Sequence, residues 1–111
     1  MAKSFNIDID VSKMLSGEEV TEELTNRVQS ALKEAAVLVQ DDAKRECPVD
    51  TGTLRSSINH TVDGMTASIG TNVEYAPYVH EGTSKMAGRP FLMNAAEKNK
   101  EKIKSLIKEA I

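Results

Sequence analysis

Apolar and polar residues alternate at the start of the chain, Phe5, Ile7 and Ile9 against Asn6, Asp8 and Asp10, which is the period-2 pattern of a half-buried strand. A connector over residues 11–17 follows. Ser16-Gly17-Glu18-Glu19 then fits a capping box, in which the serine hydroxyl and the Glu19 carboxylate satisfy free backbone N–H groups at the start of a helix. From there to Glu46 the period changes: Val20, Leu24, Val28, Ala31, Ala35 and Leu38 recur on one face, and Leu32, Val39 and Ala43 widen it. No proline or glycine interrupts that run, and at 1.5 Å per residue it predicts a helix roughly 40 Å long. This exceeds what one small sheet needs to cover, so part of it is expected to touch something else.

The helix must stop near Cys47, because Pro48 disfavours helical backbone in the residue before it and has no N–H to give. Pro48, Asp50, Thr51 and Gly52 then read as a structural turn, with Asp and Thr bonding to nearby backbone and Gly permitting positive φ. A hairpin over about residues 54–70 comes next. Leu54, Ser56, Ile58, His60 and Val62 share one face, Asp63-Gly64 signals a two-residue turn, and Met65, Ala67 and Ile69 return on the same face. Pairing Val62 with Met65 sets His60 opposite Ala67 and Ile58 opposite Ile69. Beyond Gly70-Thr71-Asn72, Pro77 suits a first helical turn and Gly82 its end, predicting one or two turns of helix. Residues 83–88 have loop composition. Pro90 starts a final helix with Leu92, Ala95, Ala96, Ile103, Leu106, Ile107 and Ala110 on its apolar side.

These elements predict an α+β protein: a small antiparallel sheet, made of the hairpin and the N-terminal strand, packed by a long N-terminal helix and a C-terminal helix. With 111 residues, 40% hydrophobic, the chain suits a single domain over residues 1–111. It has no Trp, two Phe and two Tyr, so its core must be built from Leu, Ile, Val, Ala and Met, and a lone protomer would be thinly stabilised. Self-association would help it. The net charge of −3 is uneven: residues 1–50 carry six Lys/Arg against eleven Asp/Glu, net −5, and residues 51–111 carry eight against six, net +2. The two halves could meet across a subunit boundary. The C-terminal lysines are interleaved with glutamates, which gives no footprint for duplex DNA binding. A single cysteine allows no internal disulfide, and the absence of an apolar leader or span predicts a protein made in a reducing cytoplasm with no membrane partner.

Asp50-Thr51-Gly52 is the string found at the active site of aspartic proteases, where two carboxylates meet at a dimer axis and share a proton. That chemistry needs the aspartate at the end of a hydrophobic strand in a mostly β protein, whereas here a long helix and Cys47-Pro48 precede it. Cys47 with His60 or His80 matches no metal-ligand spacing, and no phosphate-binding glycine loop is present. The expectation is therefore no catalytic residue, no metal and no cofactor. A different cluster is more informative. Tyr75, Pro77, Tyr78, His80, Glu81, Arg89 and Phe91 hold three of the four aromatics within seventeen residues, beside rigid prolines, a composition suited to an interface between protomers or with a partner. Phe91 and one tyrosine could equally complete the protomer core.

The strings Ala43-Lys44-Arg45-Glu46-Cys47-Pro48 through Ile58, Val73-Glu74-Tyr75-Ala76-Pro77-Tyr78-Val79-His80-Glu81-Gly82-Thr83, and Arg89-Pro90-Phe91-Leu92 resemble the tail-completion, or head–tail joining, proteins of long-tailed bacteriophages, often called minor tail components. Cys47 departs from that pattern, which has a small residue before the proline. The resemblance covers roughly residues 28–98. It implies a structural virion protein rather than an enzyme, located in the tail or neck and assembled in the bacterial host cytoplasm. It further implies a ring of six copies that contacts the tail tube or its terminator and the head-completion proteins. DNA would pass through such a ring unbound, helped by an acidic helix face carrying Glu18, Glu22, Glu23, Asp41 and Asp42. The alternatives are a stand-alone cytosolic interaction module of the same fold, or the dimeric protease.

Overall fold

A computed structural model describes residues 5–47 and 52–111. Pro48, Asp50 and Thr51 of the expected turn lie outside the described residues, and Gly52 opens a helix. Strand β1 (Phe5–Asp10) keeps the predicted alternation, with Phe5, Ile7 and Ile9 turned inward and Asn6, Asp8 and Asp10 exposed. The Asp10 carboxylate accepts the Ser12 N–H at 2.9 Å, a bond that holds its pKa below the usual carboxylate value and bends the chain into a single 3-10 turn over Ser12–Leu15.

Helix α1 (Glu22–Glu46) starts later than the capping box predicts. Gly17 takes φ 87°, a left-handed conformation that cannot belong to a right-handed helix, and Val20 is left 64% exposed. The cap is Thr21 instead, whose hydroxyl accepts the Leu24 N–H at 3.1 Å. At 25 residues the helix is about 37 Å long. It ends as expected: Cys47 is extended (φ −66°, ψ 133°), the conformation a residue before proline must take. Leu24, Val28, Leu32, Ala35, Ala36, Val39 and Ala43 form the buried stripe. The expected acidic face does not form as a unit. Glu18 precedes the helix, and Asp42 is buried, where it accepts from Asn99 Nδ2 at 2.7 Å and pairs with Arg45.

Residues predicted to begin the hairpin form a short helix, α2 (Gly52–Ser57). Leu54 and Ile58, both buried, stand four apart, a spacing that satisfies a helical turn as well as a strand. The serines decide it: Ser57 Oγ donates to the Leu54 carbonyl at 2.6 Å and Ser56 Oγ to the Thr53 carbonyl at 3.2 Å, closing the turn from within. The hairpin proper is β2 (Asn59–Asp63) and β3 (Thr66–Thr71), with Gly64 (φ 59°) and Met65 as the two loop residues. Asp63 pairs with Thr66, Val62 with Ala67 and His60 with Ile69, two residues away from the predicted register. A shift of two preserves the faces, so His60, Val62, Ala67 and Ile69 turn inward as predicted, whereas Ser56, predicted on the same face, is exposed on α2.

The three strands form an antiparallel sheet in the order β1-β3-β2. Helix α1 lies over the inner face of β2 and β3. His60, a polar member of that face, is bonded through Nδ1 to Gln40 Oε1 at 2.6 Å. The outer face is polar, with Ser68 Oγ and Asn6 Nδ2 both donating to Asp8 Oδ1. Gly70 sits between Asn6 and Asn59 on this face, and a Cβ there would stand 2.3 Å from Asn6 Cβ.

The chain continues through α3 (Ala76–Glu81), then β4 (Gly82–Thr83) and β5 (Met86–Ala87), a tight two-stranded hairpin where the composition predicts a loop. The single final helix is two, α4 (Phe91–Lys98) and α5 (Lys100–Ala110), broken at Asn99 (φ −101°, ψ 5°), with Pro90 as the N-cap. Both run along α1, and α4 also reaches β1. The core thus lies between one helical layer and the inner face of the sheet, an α+β arrangement of the predicted kind. Among the described residues, no helix is long and apolar enough to cross a membrane.

Candidate functional site

The segment from the end of β3 to the start of α4 carries every residue of the aromatic cluster, and local bonds make it a rigid lobe. Thr71 Oγ1 accepts the Val73 N–H at 3.1 Å and donates its own proton to Ser57 Oγ, which in turn donates to Leu54, tying the lobe's root to α2. Val73 O accepts from Ala76 N at 3.1 Å, and Pro77 then enters the first turn of α3, where its missing N–H is not needed. Gly82 ends α3 at φ 87°. The returning chain is drawn onto α3 by the Arg89 N–H, which donates to the Val79 carbonyl at 2.9 Å. Gly88 permits that approach: a Cβ at this position would lie 2.5 Å from the Glu81 carbonyl carbon and 2.8 Å from Gly82 N.

The lobe divides the cluster. Phe91 (0% exposed) and His80 (5%) point into the protomer, whereas Tyr78 (62%) and Tyr75 (36%) are exposed together with Glu81 and Arg89, and Pro77 is half-buried. The His80 ring lies between Phe5 and Phe91, with centroids 5.0 and 5.2 Å away and rings nearly perpendicular. Among the described residues, neither ring nitrogen has a hydrogen-bond partner. Burial lowers the His80 pKa, and the neighbouring Glu81 charge opposes that shift.

Two further groups brace the lobe's base. Cys47 is buried, and burial pushes its thiol pKa up against the opposing charges of Arg55 and Arg89. Arg55 Nη2 donates to the Cys47 carbonyl at 3.2 Å, clamping the end of α1 to α2. Arg55 was legible only as part of a family string, since nothing in the local spacing marks it as a clamp. Among the described residues, no three His, Cys, Asp or Glu side chains converge on a metal-sized site. Asp50 of the protease-like string lies outside the described residues.

Residues 16–82 match the protein family described as "Bacteriophage HK97-gp10, putative tail-component". The chain belongs to this family. Neither a curated protein nor a solved structure matches it significantly. The family assigns the chain a structural role in a phage tail, and hence a place in the virion among other phage structural proteins. The matched region runs from the connector before α1 to the glycine that ends α3, so it includes Tyr75, Tyr78, His80 and Glu81. Arg89 and Phe91 follow beyond it.

Proposed function

We propose that this tail component acts as a single 111-residue unit in a ring, joining the tail tube to the neck of the phage, and that neighbouring copies or partners dock on the α3 lobe. The observation that carries this reading is the exposure of Tyr78 on a lobe pinned by backbone bonds. A large aromatic held rigidly outward loses little entropy on being covered, which is the behaviour of an interface anchor. Tyr75, Glu81 and Arg89 surround it with groups that hydrogen-bond directionally, the composition of an interface rather than of a solvated loop. A six-fold ring of such units would leave a channel through which DNA passes without specific binding. With Asp42 buried, the repulsion of phosphate at α1 falls to Glu22, Glu23 and Asp41.

Multi-angle light scattering against concentration tests the reading. Assembly should appear in the unaltered chain and be lost in a Tyr78→Ala, Arg89→Glu variant whose melting temperature stays within a few degrees of the original. Assembly that survives both substitutions refutes the docking surface, and a chain that remains monomeric with its tail and neck partners present refutes the ring.

A further inference from the structure

His80 is the buried polar side chain of α3. Its position is unusual: a 95%-buried imidazole with neither nitrogen bonded among the described residues, set between the rings of Phe5 from β1 and Phe91 from α4. The two phenyl rings supply no lone pair to accept an N–H. A neutral imidazole leaves one N–H and one lone pair unmet there, a tolerable cost, but an imidazolium would leave a full charge and two N–H groups in an apolar slot.

We propose that His80 is an acid-sensitive latch, which when neutral holds the α3 lobe against β1 and α4 and when protonated releases it. The surrounding charges do not offset this. On α3, Glu81 is the one charged group acting on the ring, and it is exposed at the lobe's surface. On β1 the carboxylates of Asp8 and Asp10 belong to the outer face of the sheet, and Arg89, which precedes α4, is exposed and positive. The sign follows. The imidazole of the released lobe titrates near 6.5, and the latched one below that, so the latch is at full strength above pH 6.5. Below it, the ratio of released to latched lobe rises by up to tenfold per pH unit, until the buried ring itself takes the proton. As a control over assembly, the latch rests on the reading that the lobe is the docking surface. As a property of the protomer it stands alone.

Imidazole nitrogen shifts on the isotope-labelled chain decide the matter, because its two histidines leave only two rings to assign. His80 should remain neutral at pH values where a free imidazole is half protonated. Amide exchange at Val79, His80 and Arg89, corrected for intrinsic rate, should accelerate by up to tenfold per unit below pH 6.5, and His80→Leu should abolish that slope. A His80 ring titrating at or above 6.5, or an undiminished slope in the substituted chain, overturns the latch. The ring titration is read on the unaltered protein, so it decides even if the substituted chain does not fold. The light-scattering result is independent: a failed latch leaves assembly standing, and a monomeric chain leaves the titration standing.

Discussion

Asn99 is the residue whose replacement tests the packing of the helical layer most sharply. It sits at the break between α4 and α5 and is 7% exposed, and its Nδ2 donates to Asp42 Oδ2 at 2.7 Å and to the Ala95 carbonyl at 2.8 Å. Asp42, 8% exposed, also accepts from Arg45, and the Asn99 bond is the main reason its pKa lies below the ordinary carboxylate value. Asn99→Asp replaces the donor by an acceptor of nearly the same shape. A hydrogen bond to a charged group, about 1.5–3 kcal/mol, is lost. Two carboxylates are then left about 4 Å apart, a repulsion that Arg45, exposed to water, offsets only in part. The expected destabilisation at pH 7 is about 3–5 kcal/mol, read from urea denaturation. Acid should relieve it. As the pH falls the pair takes up one shared proton and regains an O–H···O bond, so the deficit should shrink. Asn99→Ala should lose about 2 kcal/mol and show no such rescue. In the unaltered chain, Asp42 has its lowered pKa only when folded, so its contribution is present above about pH 3.8 and fades as the pH falls through the folded value. A loss under 1 kcal/mol in Asn99→Asp, or a deficit that does not shrink as the pH falls, would refute the reasoning.

Three other outcomes are expected. Leu32→Ala, at a fully buried position of the α1 stripe, should cost about 3 kcal/mol in denaturant titration. Gly70→Ala drives a Cβ to within 2.4 Å of the Phe5 carbonyl oxygen and should weaken β1 pairing by about 2 kcal/mol or more, seen as faster amide exchange in β1 than in β2. The Cys47 thiol, buried and pushed toward its protonated form, should react with a disulfide reagent at pH 8 far more slowly in buffer than in urea.

The features that were legible in the sequence share one property: their cause lies within a few residues. Alternation predicts β1, the pre-proline conformation predicts the end of α1 at Cys47, and Pro77 with Gly82 brackets α3. The inward face of the hairpin was legible even though its register was not, because face depends on parity and register depends on which residues Gly64 recruits into the turn. Where two periods fit the same residues the sequence was ambiguous, as with Leu54 and Ile58, and serine bonds to the backbone tipped the balance. The break at Asn99 had no local signal at all. Its partner, Asp42, is 57 residues away, and each residue alone reads as an ordinary surface position on a helix.

The site divides along the same line. The strings that carry the family resemblance contain residues with two kinds of work, and the structure separates them. Gly82 turns the chain, Gly88 lets it return, the Arg89 backbone fastens it to Val79, and Phe91 and His80 face the core, so folding alone accounts for these. Folding does not account for Tyr78 or for the side chains of Glu81 and Arg89, which are exposed on a lobe whose backbone would hold its shape with smaller residues in their places. A tyrosine left 62% exposed beside a tight turn buries little area within the protomer, and this is the ground on which the lobe is proposed as a docking surface. On the proposed reading the lobe is the contact surface, and the proposed latch at His80 beneath it would couple contact to fold.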